Sequence, residues 1–327
     1  MSKSKELIDY LDEVSMPELL EKLGKQIRGN KTAAFDREET EPSVHVNQHF
    51  CYDYGPGEWI GKLDVIQKIL KCSRSEALKK FTALFSLPEF NMDPAKMEIV
   101  AKQERISKEY QFLFRSSLKN ADIAHKYFAG RGIPESVIKG KVGYITSGSD
   151  PSNWDESRNA GLINKNDTFF LFKGRIIIPI VRGDQIVSIL GRTTNPDVNP
   201  KYMCTAATDP EMPQTLYGLD DVRNESEVYL VEGVTDKWTL EAHGYPAVST
   251  FGTQGLTPAR IKELKKTKAE KIIMAMDTDR QSGSGQAAAL DKGKALFAAG
   301  FDVEIITLPL LDDEDKVDIN SFFQRNL

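Results

Sequence analysis

The sequence predicts an α/β protein, α+β overall, on three observations. The last third alternates strand-length apolar runs with amphipathic helical stretches, in the order strand, helix, strand, helix, strand, helix, strand. A middle segment holds two β-branched runs joined by "RGD". The first third is mostly helical in pattern around one polar, irregular stretch. Alternation of strand and helix calls for a mostly parallel sheet with helices on both faces. The two β-branched runs read as a hairpin.

Taken in order, "KELIDYLDEV" and "MPELLEKLG" read as helices, followed after the polar stretch by "KLDVIQKILK" and "SRSEALKKFTALF". Ser73 is the expected N-cap of the last of these, with Glu76 three residues on as its capping-box partner. Residues 88–107 carry two prolines and mixed charge and read as a linker running into a helix. The expected organisation is therefore an N-terminal domain at 1–87, a linker at 88–107, a middle subdomain at 108–224 and a final domain at 225–327. The middle part opens with helical "NADIAHKYFAGRG" and continues with the strands "RIIIPIV" and "QIVSILGR". The final domain runs through "VYLV", "AVSTF", "KIIMAMD" and "DVEIITLPL", with helices between them. Thr257 and Pro258 open one of those helices as N-cap and first helical residue.

Composition sets limits. The chain has 327 residues, 40% hydrophobic and 28% charged, ordinary for two or three globular domains. It contains no apolar run near the roughly 20 residues that cross a bilayer, and its first residues lack a secretion signal. Three cysteines, Cys51, Cys72 and Cys204, make no disulfide framework. A cytoplasmic protein without membrane association is expected. The net charge of -5 falls wholly in 225–327, where 17 Asp+Glu face 12 Lys+Arg. Any nucleic-acid contact therefore needs a local basic patch, and the acidic third suits a divalent cation.

Ligands of open α/β sheets bind beyond the carboxyl ends of the strands. "VYLV" ends in Glu232 and Gly233, with Asp236 three residues on; "KIIMAMD" ends in Asp277, with Asp279 beyond; the last strand is followed by "KVDIN", with Lys316, Asp318 and Asn320. Acids gathered at one edge repel unless cations neutralise them, and hard oxygen ligands suit Mg²⁺ or Mn²⁺. Plainer readings stand beside this one. Glu232 could cap a helix, Asp277 and Asp279 could form a solvated turn, and Asp318 could cap a helix after an acidic loop. A short Gly/Ser loop at 283–285 could offer N–H groups to phosphate.

The set "VYLVEGVTDKWTLEAHGYPAVSTFGTQGLT", "MAMDTDRQSGSGQAAA" and "KVDIN" resembles a TOPRIM domain. Upstream, "HKYFAGRGIPESVIKGKVGY", "GRIIIPIVRGDQIVSILGRTT" and "NPKYMCTAATDPEMPQTLYGLDDVR" resemble the catalytic core of DnaG-type bacterial and phage primases. The resemblance implies Glu232, Asp277 and Asp279 as catalytic residues that, with Asp318, hold Mg²⁺ or Mn²⁺. It implies Arg131, Arg192, Lys201, Gly233 and Asp236 as contacts for template or nucleotide. The implied function is RNA primer synthesis on a single-stranded DNA template from ribonucleoside triphosphates, beside a replicative helicase. A metal-dependent TOPRIM nuclease and a non-catalytic replisome-binding homologue are the alternatives.

Three departures qualify the resemblance. "AAFDREETEPSVHVNQHFCYDYGPGEW" is similar to the zinc ribbon at a primase N-terminus, but its ligand positions fall on Ala34, Arg37, Cys51 and Tyr54. Structural zinc takes four ligands, so no zinc is expected, and a rearranged set of His45, His49, Cys51 and Cys72 lacks ribbon spacing. "PEMPQT" stands where a His-Lys pair is usual. The Asp-Pro-Asp motif of cellular primases is Asp318-Ile319-Asn320, closer to phage-type variants. The chain ends soon after it, so the helicase-binding domain of cellular primases is expected to be absent.

Overall fold

The structure, a computed structural model, describes residues 10–11, 13–56, 58–87, 94–146, 154–163, 170–183, 185–205, 212–252, 255–280 and 284–325. Most of the first predicted helix and position 283 of the Gly/Ser loop lie outside them. The chain forms two compact units, one of residues 1–104 with 182–185, the other of 105–181 with 186–327.

The N-terminal unit is built on a small antiparallel sheet. Its strands are β1 (Lys31–Thr32), β2 (Val44–Val46), β3 (Cys51–Asp53) and β4 (Glu58–Ile60), paired in that order. Helices α1 (Met16–Lys22), α2 (Lys62–Leu70) and α3 (Arg74–Leu84) supply Leu19, Leu20, Leu63, Ile66 and Phe81 to a core shared with Val44, Val46, Cys51 and Ile60. Ser73 caps α3 as expected: its Oγ accepts from the Glu76 N–H, and the Glu76 carboxylate accepts from the Ser73 N–H.

A cluster of charged and polar side chains forms around Arg37, one of the positions that the resemblance matches to a zinc ligand. Arg37 donates from both terminal nitrogens to the two oxygens of Asp53, each at 2.6 Å. Arg37 also reaches Ser43 Oγ at 2.8 Å, and Glu39 accepts from the N–H groups of Ala34 and Ser43 and from the Ser43 hydroxyl. The Asp53 side chain is only 1% exposed. Burial alone would raise its carboxyl; the Arg37 hydrogen bonds outweigh that and hold it below the ordinary value. Bidentate Arg–carboxylate pairing gives geometric definition as well as energy. Cys51 is a buried thiol pushed up to about 12 by burial and by Asp53. Of the rearranged ligand set, His45 Nε2 is hydrogen-bonded to Asn30 instead.

The second unit begins within α4 (Pro94–Ser117) and continues through α5 (Ala121–Ala129) and α6 (Glu135–Ile138). A four-stranded sheet follows, ordered β5 (Gly143–Ile145), β6 (Arg175–Arg182), β7 (Gln185–Thr193), β8 (Tyr202–Cys204), with the short α7 (Trp154–Asn159) between β5 and β6. The predicted hairpin strands are thus neighbours, and both are almost wholly buried.

The final part is the predicted parallel sheet, ordered β10-β9-β11-β13, with strands β9 (Glu227–Val231), β10 (Ala247–Ser249), β11 (Lys271–Ala275) and β13 (Asp302–Ile306). Helices cover both faces. Val228, Leu230, Ile272 and Met274 pack with Leu264 of α9 (Pro258–Leu264) and Leu296 of α10 (Ser284–Ala298). Val231, Ala247 and Ala275 pack with Leu240 of α8 (Val234–Ala242) and Ile319 of α11 (Ile319–Arg325). Thr257 caps α9 ahead of Pro258 as expected. One feature is absent from the sequence reading: β12 (Thr278–Asp279) pairs antiparallel with β14 (Lys316–Val317).

Candidate active site

Three strand ends build one edge. Glu232 follows β9, and its backbone carbonyl accepts from Ser249 Oγ at 2.9 Å and from the Gly252 N–H at 3.0 Å. The plainer reading of Glu232 as a helix cap does not apply. Gly233 is the N-cap of α8, and its N–H donates to Asp236 Oδ2. A side chain at 233 would come within 2.4 Å of that oxygen, so it would displace the Asp236 carboxylate from its bond to the 233 N–H. Asp236 is itself buried, and its second oxygen accepts from the Asn320 N–H at 3.0 Å. One carboxylate thus serves the first turns of α8 and α11.

Asp277 lies two residues past β11. The β12–β14 ladder sets Asp279 opposite Lys316 and brings Lys316 Nζ within 2.8 Å of Asp277 Oδ2. Asp318 caps α11 through the Ser321 N–H at 2.7 Å, as the plainer reading of that loop expected.

The carboxyls feel one another. Burial raises Glu232, and Asp277 raises it further, with Lys292 and Lys316 opposing. Burial likewise raises Asp277 against the pull of the Lys316 hydrogen bond. Asp236 is pushed up to about 7, by burial first and by the Asp318 charge next. Lys316 is raised by its bond to Asp277. The edge is therefore short of positive charge, although Lys316 already leans on it. Among the described residues no three His, Cys, Asp or Glu side chains are gathered to hold a metal by themselves. Mg²⁺ takes only one or two carboxylates and completes its shell with water and phosphate oxygens. An open set of under-neutralised carboxylates fits that chemistry.

A basic cluster stands beside the acids. The Tyr127 hydroxyl on α5 accepts from Arg131 Nε at 3.0 Å and Arg192 Nε at 2.8 Å, and Arg192 also donates to the Tyr202 hydroxyl. Arg192 lies over both rings, 5.0 Å from the Tyr127 centroid and 4.7 Å from that of Tyr202, and is 2% exposed. Lys201 is exposed at the rim. Its pKa is lowered by partial desolvation and by Arg192 and Arg131, while Asp318 opposes the shift. Acids and bases are thus within electrostatic reach of each other.

Several of these residues escape sequence reasoning. Tyr127 and Arg131 are four apart at a helix end, a readable spacing, but nothing local pairs Tyr127 with Arg192. The Lys292 ammonium, whose pKa is lowered by burial and supported by Glu232, is equally silent in sequence.

Comparison with known proteins fixes the family. Residues 226–307 match the Toprim domain, and residues 113–223 match the N-terminal domain of the DNA primase catalytic core. The chain belongs to the DnaG-type primase family. The Toprim match contains Glu232, Asp277 and Asp279, and the primase-core match contains Arg131, Arg192 and Lys201. The DNA primase of Clostridium acetobutylicum is 30% identical over 100% of this chain and 56% of its own length. That of Deinococcus radiodurans is 28% identical over 84% of this chain and 50% of its own. The chain thus spans about half the length of the curated primases it matches. In fold it is similar to the zinc-binding and RNA polymerase domains of the Aquifex aeolicus primase, at 21% identity and a TM-score of 0.59, over 99% of this chain and 83% of that one. It is also similar to a DnaG primase catalytic domain bound to single-stranded DNA, at 21% identity and a TM-score of 0.56, over 69% of this chain and 78% of that one. Among the described residues no helix is long and apolar enough to cross a membrane.

Proposed function

We propose that the chain synthesises RNA primers on single-stranded DNA from ribonucleoside triphosphates. The observation that carries this is the meeting of an acidic strand-end edge with the Arg131–Tyr127–Arg192–Lys201 cluster in one unit. Lys201 and Arg131 bind phosphate oxygens of template or incoming nucleotide, Lys201 as a point charge and Arg131 as a planar donor. Arg192, held between two tyrosines, fixes the orientation of Arg131 through their shared phenol. Gly233 and Asp236 shape the first turn of α8 beneath the nucleotide. Glu232, Asp277 and Asp279, with Asp318 beside them, would hold a divalent ion such as Mg²⁺ or Mn²⁺. When bound, that ion supplies positive charge against the phosphate charge that grows as a 3′-hydroxyl attacks an α-phosphate and pyrophosphate leaves. Lys316 serves as a counter-ion for Asp277 and, displaced from it, can turn to phosphate. The N-terminal ribbon-like domain, the 88–107 linker, the 108–224 core and the 225–327 Toprim part are the working divisions of this reading. A replicative helicase is its natural partner in a bacterial or phage-infected cell.

A priming assay tests it. Labelled ribonucleotides on single-stranded DNA of varied sequence are expected to yield short RNA only with Mg²⁺ or Mn²⁺. Degradation of the DNA with no primer formed overturns this reading in favour of a Toprim nuclease.

A further inference from the structure

Asn320 opens α11 and is 4% exposed. Its backbone N–H donates to Asp236 Oδ1. Its side-chain Nδ2 donates twice, to the Arg131 backbone carbonyl at 3.0 Å and to Thr239 Oγ1 at 2.9 Å. Neither partner can reverse the bond. A carbonyl has no proton, and the Thr239 hydroxyl already donates to the Thr235 carbonyl. Two acceptors therefore face one side chain, and a primary amide supplies the two N–H donors they need. A carboxylate supplies none, and it would add a charge beside Asp236, already starved of counter-charge. The acid of the resembled Asp-Pro-Asp motif could not do what this amide does here.

The turn that Asn320 grips is the one that carries Arg131. The Arg131 N–H bonds back to the Phe128 carbonyl, and Gly132 follows with a φ of 72°, a left-handed value suited to glycine. The turn leaves α5 and joins α8 through the Asn320 amide. We infer that Asn320 is a positioning residue for Arg131, fixing the backbone of its turn against the acidic strand ends so that the guanidinium meets a template phosphate. This rests on the reading of Arg131 as a template contact. Buried hydrogen-bond donors that satisfy two acceptors at once are costly to lose, because both acceptors are then stranded.

The test is a double-mutant cycle on the full chain, read as fluorescence anisotropy of a labelled single-stranded oligonucleotide, with circular dichroism to confirm folding. Asn320→Asp and Asn320→Ser are each expected to weaken binding about tenfold, the scale of one charge-assisted contact. The salt slope should flatten by about 0.7, the value for one phosphate contact on a single strand. In an Arg131→Ala background the same substitutions should change affinity less than about twofold, because coupled sites are not additive. Asn320→Ser adds no charge near Asp236 and carries the test if Asn320→Asp does not fold. Equal losses in both backgrounds overturn the inference, since Asn320 then acts on something other than Arg131. Full binding by the Asn320 variants, with Arg131→Ala alone weakened, overturns it as well. Wild-type binding by Arg131→Ala overturns the template reading itself, a failure visible before Asn320 is changed.

Discussion

Asp53 and Asp277 each stand at the end of a strand beside a basic side chain, and their carboxyls are pushed in opposite directions. Asp53 is held low because Arg37 grips both its oxygens and the Gly55 N–H adds a third bond. Asp277 is held high by burial first, which its bond to Lys316 does not offset, and the Asp318 charge adds to the rise. Burial pushes both carboxyls up, and at Asp277 it prevails. The difference is how far the bonds each acid accepts offset that burial: three at Asp53, from Arg37 and Gly55, against the Lys316 bond at Asp277. The N-terminal cluster is neutralised by its own side chains and is finished as a structure. The strand-end edge keeps raised carboxyls, which is what the proposed function needs of a site for a cation and a phosphate.

The largest test of that contrast is a pair of substitutions. Asp277→Ala is expected to cut primer synthesis by about a thousandfold or more, as loss of transition-state charge stabilisation does. It should leave the melting temperature unchanged or higher, since a repelled carboxyl is gone. Asp53→Ala should do the reverse in stability, lowering the melting transition of the N-terminal unit by about 10 °C because Arg37 loses its partner. If both variants melt alike, the two clusters are not different in kind.

The pH dependence should separate them next. Asp236, at about 7, and the raised Glu232 and Asp277 bind protons more tightly folded than unfolded. Their contribution to stability therefore grows as pH falls from about 7 towards the ordinary carboxyl range near 4. Asp36, Glu39 and Asp53 are lowered, so their contribution is present above that range and is lost as pH falls below it. Denaturant unfolding without metal should show stability rising and then falling as pH drops from 7 to 3. Asp236→Asn should flatten the rising part; a monotonic fall in the wild type would contradict the opposite signs.

The smallest effect is at Lys316. Its side chain is more than half exposed, and exposed pairs are worth little. Lys316→Met is expected to tighten Mn²⁺ binding about threefold in calorimetry, by removing a competing cation from Asp277. Weaker Mn²⁺ binding would mean that Lys316 helps to hold the ion's ligands instead.

Much of the fold was legible because it is written in local pattern. Strand periodicity gave all four parallel strands, and the Ser73–Glu76 and Thr257–Pro258 signals marked helix starts that the structure has. The candidate acids were legible because they follow apolar runs. What was not legible depends on residues far apart in sequence. Arg37 and Asp53 are 16 residues apart, Tyr127 and Arg192 are 65 apart, and Asn320 and Arg131 are 189 apart. The two-residue strands β12 and β14 are too short to show a period, yet they bring Lys316 to Asp277. The sequence puts Arg37 where the resemblance expects a zinc ligand, but only packing shows its ion pair with Asp53.

That ion pair has a consequence for the cell's chemistry. A thiolate-bound zinc can be ejected by peroxide or disulfide reagents, because thiolates are the nucleophiles such oxidants seek. At these positions the chain offers a single buried thiol, Cys51, protonated up to about 12. The guanidinium and carboxylates around it have no redox chemistry. Of the positions that the resemblance matches to zinc ligands, only Cys51 carries a thiol, and that thiol is buried and protonated, a poor target for such oxidants.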